Sequence, residues 1–334
     1  MKYFRKIGHS IIGDTMKKED MRSDLAVESL EELTEGNHYT RQQYRDDNVE
    51  VEIYEILKTH PSINQGVGTY VEISFPDYLM QQPIIRQVSQ VLSKLIHKYD
   101  NPRILIAGLG NQYLTSDAIG PRSVRDIRVT HFLGEEEREE NKFLDIFALI
   151  PGVMVQTGME SSDIIKAIID RENIDLVIVI DALCARDYNK LSHVIQVNTV
   201  GLQPGGGIGN RRKGITKEIL GVDVIAIGVP TVIYASSLVN QVIATTMDYF
   251  GDSMNPQNVL KIGRRSGYQG SLTKQQKTAM LGELGSLDEL QMEMLFNEVL
   301  NPIGHNYVMS DKQIDEQCEI ISKIIAKSIN SLRY

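Results

Sequence analysis

Cysteine is scarce in this chain, with two residues in 334, Cys184 and Cys318. Two thiols so far apart make neither a disulfide framework nor a zinc site, and they point to a cytoplasmic compartment. No stretch approaches the roughly 18 consecutive apolar residues of a membrane span. The N-terminus, MKYFRKIGHSIIGDTMKKED, is basic, but its apolar run is too short for a secretory signal. The HExxH pattern of helical zinc proteases and the GxSxG nucleophile elbow are both missing. The glycine-rich loop GGGIGNRRKG fails both nucleotide signatures. Asn210 stands where a dinucleotide fingerprint needs Gly or Ala, and Ile215-Thr216 where a Walker loop needs Lys-Ser/Thr. A net charge of −9 argues against direct nucleic-acid binding, though not against a DNA-bound protein as partner. No internal repeat is visible, and the two cysteines leave no obvious metal cage.

What is present suits a globular chain with ample core, 42% hydrophobic and 24% charged, of one large or two ordinary domains. Residues 1–24 are compositionally unlike the rest and read as a tail or a removable segment. A helical cast at Ala26 to Leu33 turns polar before Val49 to Leu57, which alternates apolar and acidic residues as a one-faced strand does. Gly66 to Ser74 is its expected antiparallel partner. Pro83 to His97 carries an amphipathic helical stripe. Strand and helix then alternate, with strands expected at Arg103–Ala107, Phe143–Ile150, Leu176–Ile180, His193–Val197 and Val224–Gly228. Pro230 is expected to open a helix that buries Ala235, Leu238, Val239, Val242, Ile243 and Met247. The charge run Gly134 to Lys142 reads as a solvated loop. The last helix carries Ile314, Cys318, Ile321, Ile325, Ile329 and Leu332 on one stripe, behind a capping box of Ser310 and Gln313. The expected fold is α/β, a mostly parallel sheet with helices on both faces, plus a helical C-terminal segment.

Two stretches carry the chemistry. RILIAGLGNQYLTSDAIGP (Arg103 to Pro121) reads as buried strand, glycine turn and helix start, with Thr115 as cap and Asp117 in the first turn. DLVIVIDALCAR (Asp175 to Arg186) reads as a buried strand ending at Asp181. Ligands of open α/β sheets sit beyond the strand ends, so two acids there can share a proton or a water, or hold a divalent metal. The bland reading of Asp117 is a helix-start acid and nothing more. Arg211, Arg212 and Lys213 can gather an anion such as a substrate carboxylate, or simply line a solvated loop. His193 reads as a core residue; the role of His305 stays open.

Taken together, the motifs resemble the germination protease family of spore-forming bacteria. They are MRSDLAVE (Met21 to Glu28), GLGN with TSDAIGP (Gly108 to Pro121), PGVMVQTGME (Pro151 to Glu160) and VIDALCAR (Val179 to Arg186). GLQPGGGIGNRRK (Gly201 to Lys213), VIAIGVPTVI (Val224 to Ile233) and NPIGHN (Asn301 to Asn306) complete the set. The resemblance implies a fold like that of the hydrogenase-maturation endopeptidases, a homotetramer in the spore core, and small acid-soluble spore proteins as substrates. It also implies a zymogen that self-cleaves between Asp24 and Leu25. Residues 1–24 are then the prosegment, and 25–334 a single catalytic domain with a small β-hairpin insertion near residues 49–75. The family's two essential aspartates fall on Asp117 and Asp181, giving an atypical aspartic-type endopeptidase without a required cofactor, a divalent metal at the acids remaining a variant. The family usually has His where Gln203 stands, and Ala where Cys184 stands. The rival readings are a hydrogenase-type maturation endopeptidase using a metal at the same acids, and a non-enzymatic α/β ligand-binding module.

Overall fold

The computed structural model describes residues 23–25, 28, 38–58, 66–202, 213–254, 268, 270–300 and 307–333. Among the described residues nine strands form one sheet: β1 (Tyr39–Asp46), β2 (Val49–Ile56), β3 (Gly68–Ser74), β4 (Arg103–Gly108), β5 (Asp145–Leu149), β6 (Leu176–Ala185), β7 (Val194–Asn198), β8 (Asp223–Tyr234) and β9 (Val308–Met309). The helices are α1 (Gln81–Ile96), α2 (Ile119–Arg125), α3 (Glu135–Asn141), α4 (Met154–Thr157), α5 (Ser161–Glu172) and α6 (Lys217–Leu220). They continue as α7 (Ala235–Met254), α8 (Lys274–Leu281), α9 (Glu289–Leu300) and α10 (Ile314–Asn330). Among the described residues no helix is long and apolar enough to cross a membrane.

The sheet runs β1-β2-β3-β7-β8-β6-β4-β5, with β9 beside β8. Only β5, β4, β6 and β8 are mutually parallel; β1, β2, β3, β7 and β9 all join antiparallel. The sheet is therefore mixed, not mostly parallel. The cause is β7, which turns back against β8 and gives the β1–β3 meander an edge to extend. β1 itself went unrecognised because YTRQQYRD is polar and nearly all exposed. It is set by the tight Asp47-Asn48 turn, where both residues have positive φ, as a two-residue hairpin requires.

The continuous apolar runs of β4 and β6 are covered on both faces, as buried parallel strands are. Ile104, Ile106, Ile178 and Ile180 pack with Ile84, Val88 and Leu92 of α1 and Ile321, Ile325 and Ile329 of α10. Leu105, Ala107, Val177 and Val179 pack on the opposite side against Ile165 and Ile169 of α5. Each fully buried isoleucine or leucine contributes about 1.5–3 kcal/mol.

Four local expectations are corrected. The charge run forms the short exposed helix α3, its three leading glutamates favoured by the helix N-terminus. Pro230 does not open a helix; it lies inside β8, opposite a register shift at Leu183/Cys184 where its missing N–H leaves the ladder irregular. The helix starts at Ala235 and buries Ser236, Ser237, Asn240 and Met247, while Val242 is 51% exposed. Its inward face is polar because Ser236 and Ser237 donate to Asn297 and Glu293 of α9. The capping box at Ser310 does not form either: α10 has Gln313 at its N-cap, without a side-chain bond. The apolar stripe of α10 is buried from Cys318 to Leu332, with Ile314 half-buried at its start.

Candidate active site

The site lies where β4 stops. The β4–β6 ladder ends at Gly108 opposite Ile180, and the Leu109 N–H then donates to the Ile180 carbonyl at 2.8 Å. β6 runs on for five more residues with β8 on one side only. Asp181 is therefore not a strand terminus, as the sequence suggests, but the first residue after its neighbour departs. It lies opposite Gly228 of β8. Its Oδ1 accepts the Ala182 N–H at 2.9 Å, an amide that a longer β4 would have engaged.

Asp117 follows the glycine turn after β4, on a short turn that lies against β6. It closes a single 3-10 turn, Thr115–Asp117, so it lies just ahead of α2 instead of within its first turn. Thr115 does not cap α2; its hydroxyl donates to Asp315 of α10 at 2.7 Å. Asp117 Oδ2 accepts the Asn111 N–H at 2.7 Å, which folds the glycine turn onto the carboxylate. Gly110 has φ +107°, and a Cβ there would lie 2.0 Å from the Asp117 carbonyl oxygen. Gly120 is equally constrained, since a Cβ would meet the Ile180 carbonyl oxygen at 2.4 Å. Thr231 of β8 donates to the Ser116 carbonyl at 2.6 Å, and the Cys318 thiol donates to that of Thr115 at 3.3 Å. Burial pushes that thiol up from 9.0 to about 11, with Arg122 opposing and Asp315 adding to the shift.

Asp117 and Asp181 are both half-buried, Asp117 on the turn that follows β4 and Asp181 within β6 at the first residue past the end of the β4 ladder. Two carboxylates that approach one another can act on a water or a carbonyl held between them. Among the described residues no group of three or more His, Cys, Asp or Glu side chains is arranged to hold a metal ion.

Asp24 and Leu25 lie along the stretch of β6 beyond β4. The Asp24 N–H donates to the Cys184 carbonyl at 2.9 Å, and the Cys184 N–H donates to Asp24 Oδ2 at 2.9 Å. Asp24 is set among dense protein while much of its own surface stays open to solvent. Desolvation raises its pKa from 3.8, and the hydrogen bond from Cys184 opposes that shift. Leu25 is fully buried against Leu183 and Ala185, with Leu191 and Leu202 alongside. Glu28 was not singled out from the sequence as a site residue, yet it is 2% exposed. It accepts the N–H groups of Arg186 and Asp187 at 2.9 and 3.0 Å, and the hydroxyl of Ser23. Its spacing of four from Asp24 was the available signal. Lys213 is exposed and pairs with Asp163 at 2.8 Å. Arg211, Arg212, Gln203 and His305 lie outside the described residues. The His193 ring is half-buried, its Nδ1 2.7 Å from the Leu191 carbonyl.

The sequence profile of the germination protease family matches residues 15–333. The chain is 32% identical to the germination protease of Bacillus cereus (strain G9842), over 95% of its own length and 94% of that protein. It is 32% identical to the germination protease of Priestia megaterium (strain ATCC 12872 / QMB1551), over 93% of both chains. Against the germination protease of Bacillus anthracis (strain A0248) the identity is 33%, over 95% and 94%.

Proposed function

The chain belongs to the germination protease family, and on that premise we propose that it is an endopeptidase of spore germination whose hydrolytic groups are Asp117 and Asp181. One carboxylate, ionised, takes a proton from a water held between them as that water attacks the scissile carbonyl. The other, protonated, donates to the carbonyl oxygen; on collapse it takes that proton back, and the proton held by the first carboxylate passes to the leaving amine, so both acids return to their starting states. Two close carboxylates divide these roles because like charges in contact cannot both ionise cheaply. What supports the reading is that both acids stand just past the end of β4, Asp117 on the turn that lies against β6, where it accepts the Asn111 amide, and Asp181 on β6, where it accepts the Ala182 amide.

The substrates are small acid-soluble spore proteins in the spore core, and the chain is made as a zymogen that removes residues 1–24 by cutting after Asp24. The docking of Asp24, Leu25 and Glu28 along β6 favours this over a maturation endopeptidase, which gives that segment no task. Arg211, Arg212 and Lys213 stay assigned to acidic substrate groups. The assembly is a homotetramer, and the apolar Val242 and Tyr249 left exposed on α7 are the surface it would use. Val242→Asp then yields smaller species in sedimentation velocity with an unchanged circular dichroism spectrum; an unchanged mass removes α7 from the interface.

The test is cleavage of a peptide spanning residues 20–30, with the new N-terminus sequenced. Asp117→Asn and Asp181→Asn each lower kcat/KM by about 10²–10⁴-fold if both groups move protons. Full activity in either folded variant removes the scheme. Activity abolished by a chelator and restored by a divalent ion would replace it with metal-assisted hydrolysis at the same acids.

A further inference from the structure

Asn111, at the end of the glycine turn after β4, has every hydrogen-bonding group engaged but one. Its N–H donates to Asp117 Oδ2 at 2.7 Å, and its carbonyl accepts the Leu114 N–H at 3.0 Å. Its side-chain oxygen accepts two bonds, from the Tyr113 N–H at 3.1 Å and from Nε2 of Gln156 at 3.0 Å. A backbone N–H can only donate, so the atom facing Tyr113 is the oxygen and the amide cannot be turned over. Two donors fill both lone pairs of that oxygen. What is left is the Asn111 NH2 group, which makes no bond to another described residue. It belongs to the residue whose N–H holds Asp117, so it stands within a side chain's length of that carboxylate.

Gln156 comes from α4, in the stretch Pro151 to Glu160 that the two-acid scheme does not use. β4 and β5 are parallel neighbours, so the turn after one and the helix after the other leave the same end of the sheet. An asparagine turn closes with the Tyr113 bond alone. The bond from Gln156, 45 residues further on, adds nothing to that closure. It fixes the plane of the amide and so the direction of the NH2 group. Asn111 is half-buried and Gln156 exposed, which leaves this amide open to a ligand.

We propose that Asn111 is a third catalytic residue, whose Nδ2 donates to the scissile carbonyl oxygen as it becomes an oxyanion, and that Gln156 is the positioning residue that aims it. A preoriented amide donor beside the reacting acid suits a charge that develops during the reaction. As water adds, the carbonyl electron pair moves onto the oxygen and the bond from Nδ2 tightens, with no proton leaving the amide. The protonated carboxyl serves the same oxygen through its other lone pair. An interaction that strengthens in the transition state acts on kcat and leaves KM in place.

The role rests on the protease reading, and the experiment separates the two. Cleavage of the peptide spanning residues 20–30 is compared in the full-length parent and its variants. Asn111→Asp keeps an acceptor for Tyr113 and Gln156 but has no donor; Asn111→Ser keeps a shorter turn acceptor and adds no charge. Each lowers kcat by about 10²–10³-fold while KM stays within about twofold. Gln156→Leu lowers kcat about fivefold, and Gln156→Lys, which still donates, recovers most of that loss. A peptide difluoroketone, bound as its tetrahedral hydrate, loses affinity for both Asn111 variants in proportion to kcat/KM. Hydrogen exchange at the Tyr113 amide reports the turn and stays unchanged in Asn111→Asp. A kcat within about threefold of the parent in either Asn111 variant, or a loss carried by KM, overturns the oxyanion role and leaves Asp117 and Asp181 in theirs. Tyr113 protection lost together with activity in both variants assigns Asn111 to the turn alone and equally overturns it. A parent that cuts no peptide removes the protease reading, and this role with it.

Discussion

The Thr231 hydroxyl donates to the Ser116 carbonyl at 2.6 Å, tying β8 to the turn that presents Asp117. Thr231 follows Gly228, the residue opposite Asp181, by three positions on the same strand. One hydrogen bond thus fixes the Asp117 turn relative to the strand beside Asp181. Thr231 is fully buried, so Thr231→Val keeps the shape and leaves the carbonyl unmet. It should cost about 1–3 kcal/mol in urea unfolding. Peptide cleavage should lose kcat with little change in KM, since the residue positions an acid and touches no substrate. Unaltered kcat would mean the turn is held well enough without β8.

Close approach makes a second prediction. A Cβ on Gly120 would lie 2.4 Å from the carbonyl oxygens of both Ile180 and Leu109, all of them backbone atoms that no rotamer change can move. Gly120→Ala should destabilise by about 3 kcal/mol through overpacking. Gly134, with nothing within 4 Å of its would-be Cβ, provides the control. Gly134→Ser at the N-cap of α3 should stay within about 0.5 kcal/mol of the parent. Equal denaturation midpoints for the two variants would contradict the contact.

Cys318 is buried on α10, donates to the Thr115 carbonyl, and has its thiol pushed up to about 11 by burial. A thiol so protonated and enclosed should resist iodoacetamide at neutral pH in the native chain and react once the chain is unfolded. Mass spectrometry after brief labelling measures this. Rapid native labelling would place α10 away from the Asp117 turn.

Asp24 sets a pH dependence for the docked segment. Burial raises its pKa from 3.8, so the docked carboxyl holds its proton more tightly than the free one. By linkage, this contribution to docking is complete below 3.8 and is lost as pH rises through the docked value. The open surface of Asp24 makes the effect modest, because solvent screens it. Exchange protection at Cys184 should therefore increase as pH falls from neutral toward 4, after correction for intrinsic exchange. Asp24→Asn should flatten that dependence. Protection that decreases on acidification would reverse the sign and reject the docking contact as its source.

Much of this site was legible in one dimension because its determinants are local. Short apolar runs marked β4, which ends in a glycine turn, and β6, while Asp117 was read at the helix start after that turn and Asp181 at the end of the β6 run. The stripe of α10 was equally plain, since a 3.6-residue period is a property of neighbouring positions. Polar β1 escaped because an edge strand exposed along nearly its whole length has no apolar alternation to show. Burial on α7 was misjudged because the polar side of that helix meets hydrogen-bond partners on α9, a pairing its own period cannot announce.

By itself, then, the sequence determined which strands are buried on both faces, which acids stand beside them, and which glycines let the backbone turn sharply there. Tertiary structure alone decided that β4 stops opposite Ile180 while β6 continues. It alone brought Asp24 and Glu28 to amides about 160 residues further along the chain. The physical reason is that each N–H must find an acceptor somewhere, and which distant carboxylate supplies it depends on where a neighbouring strand ends.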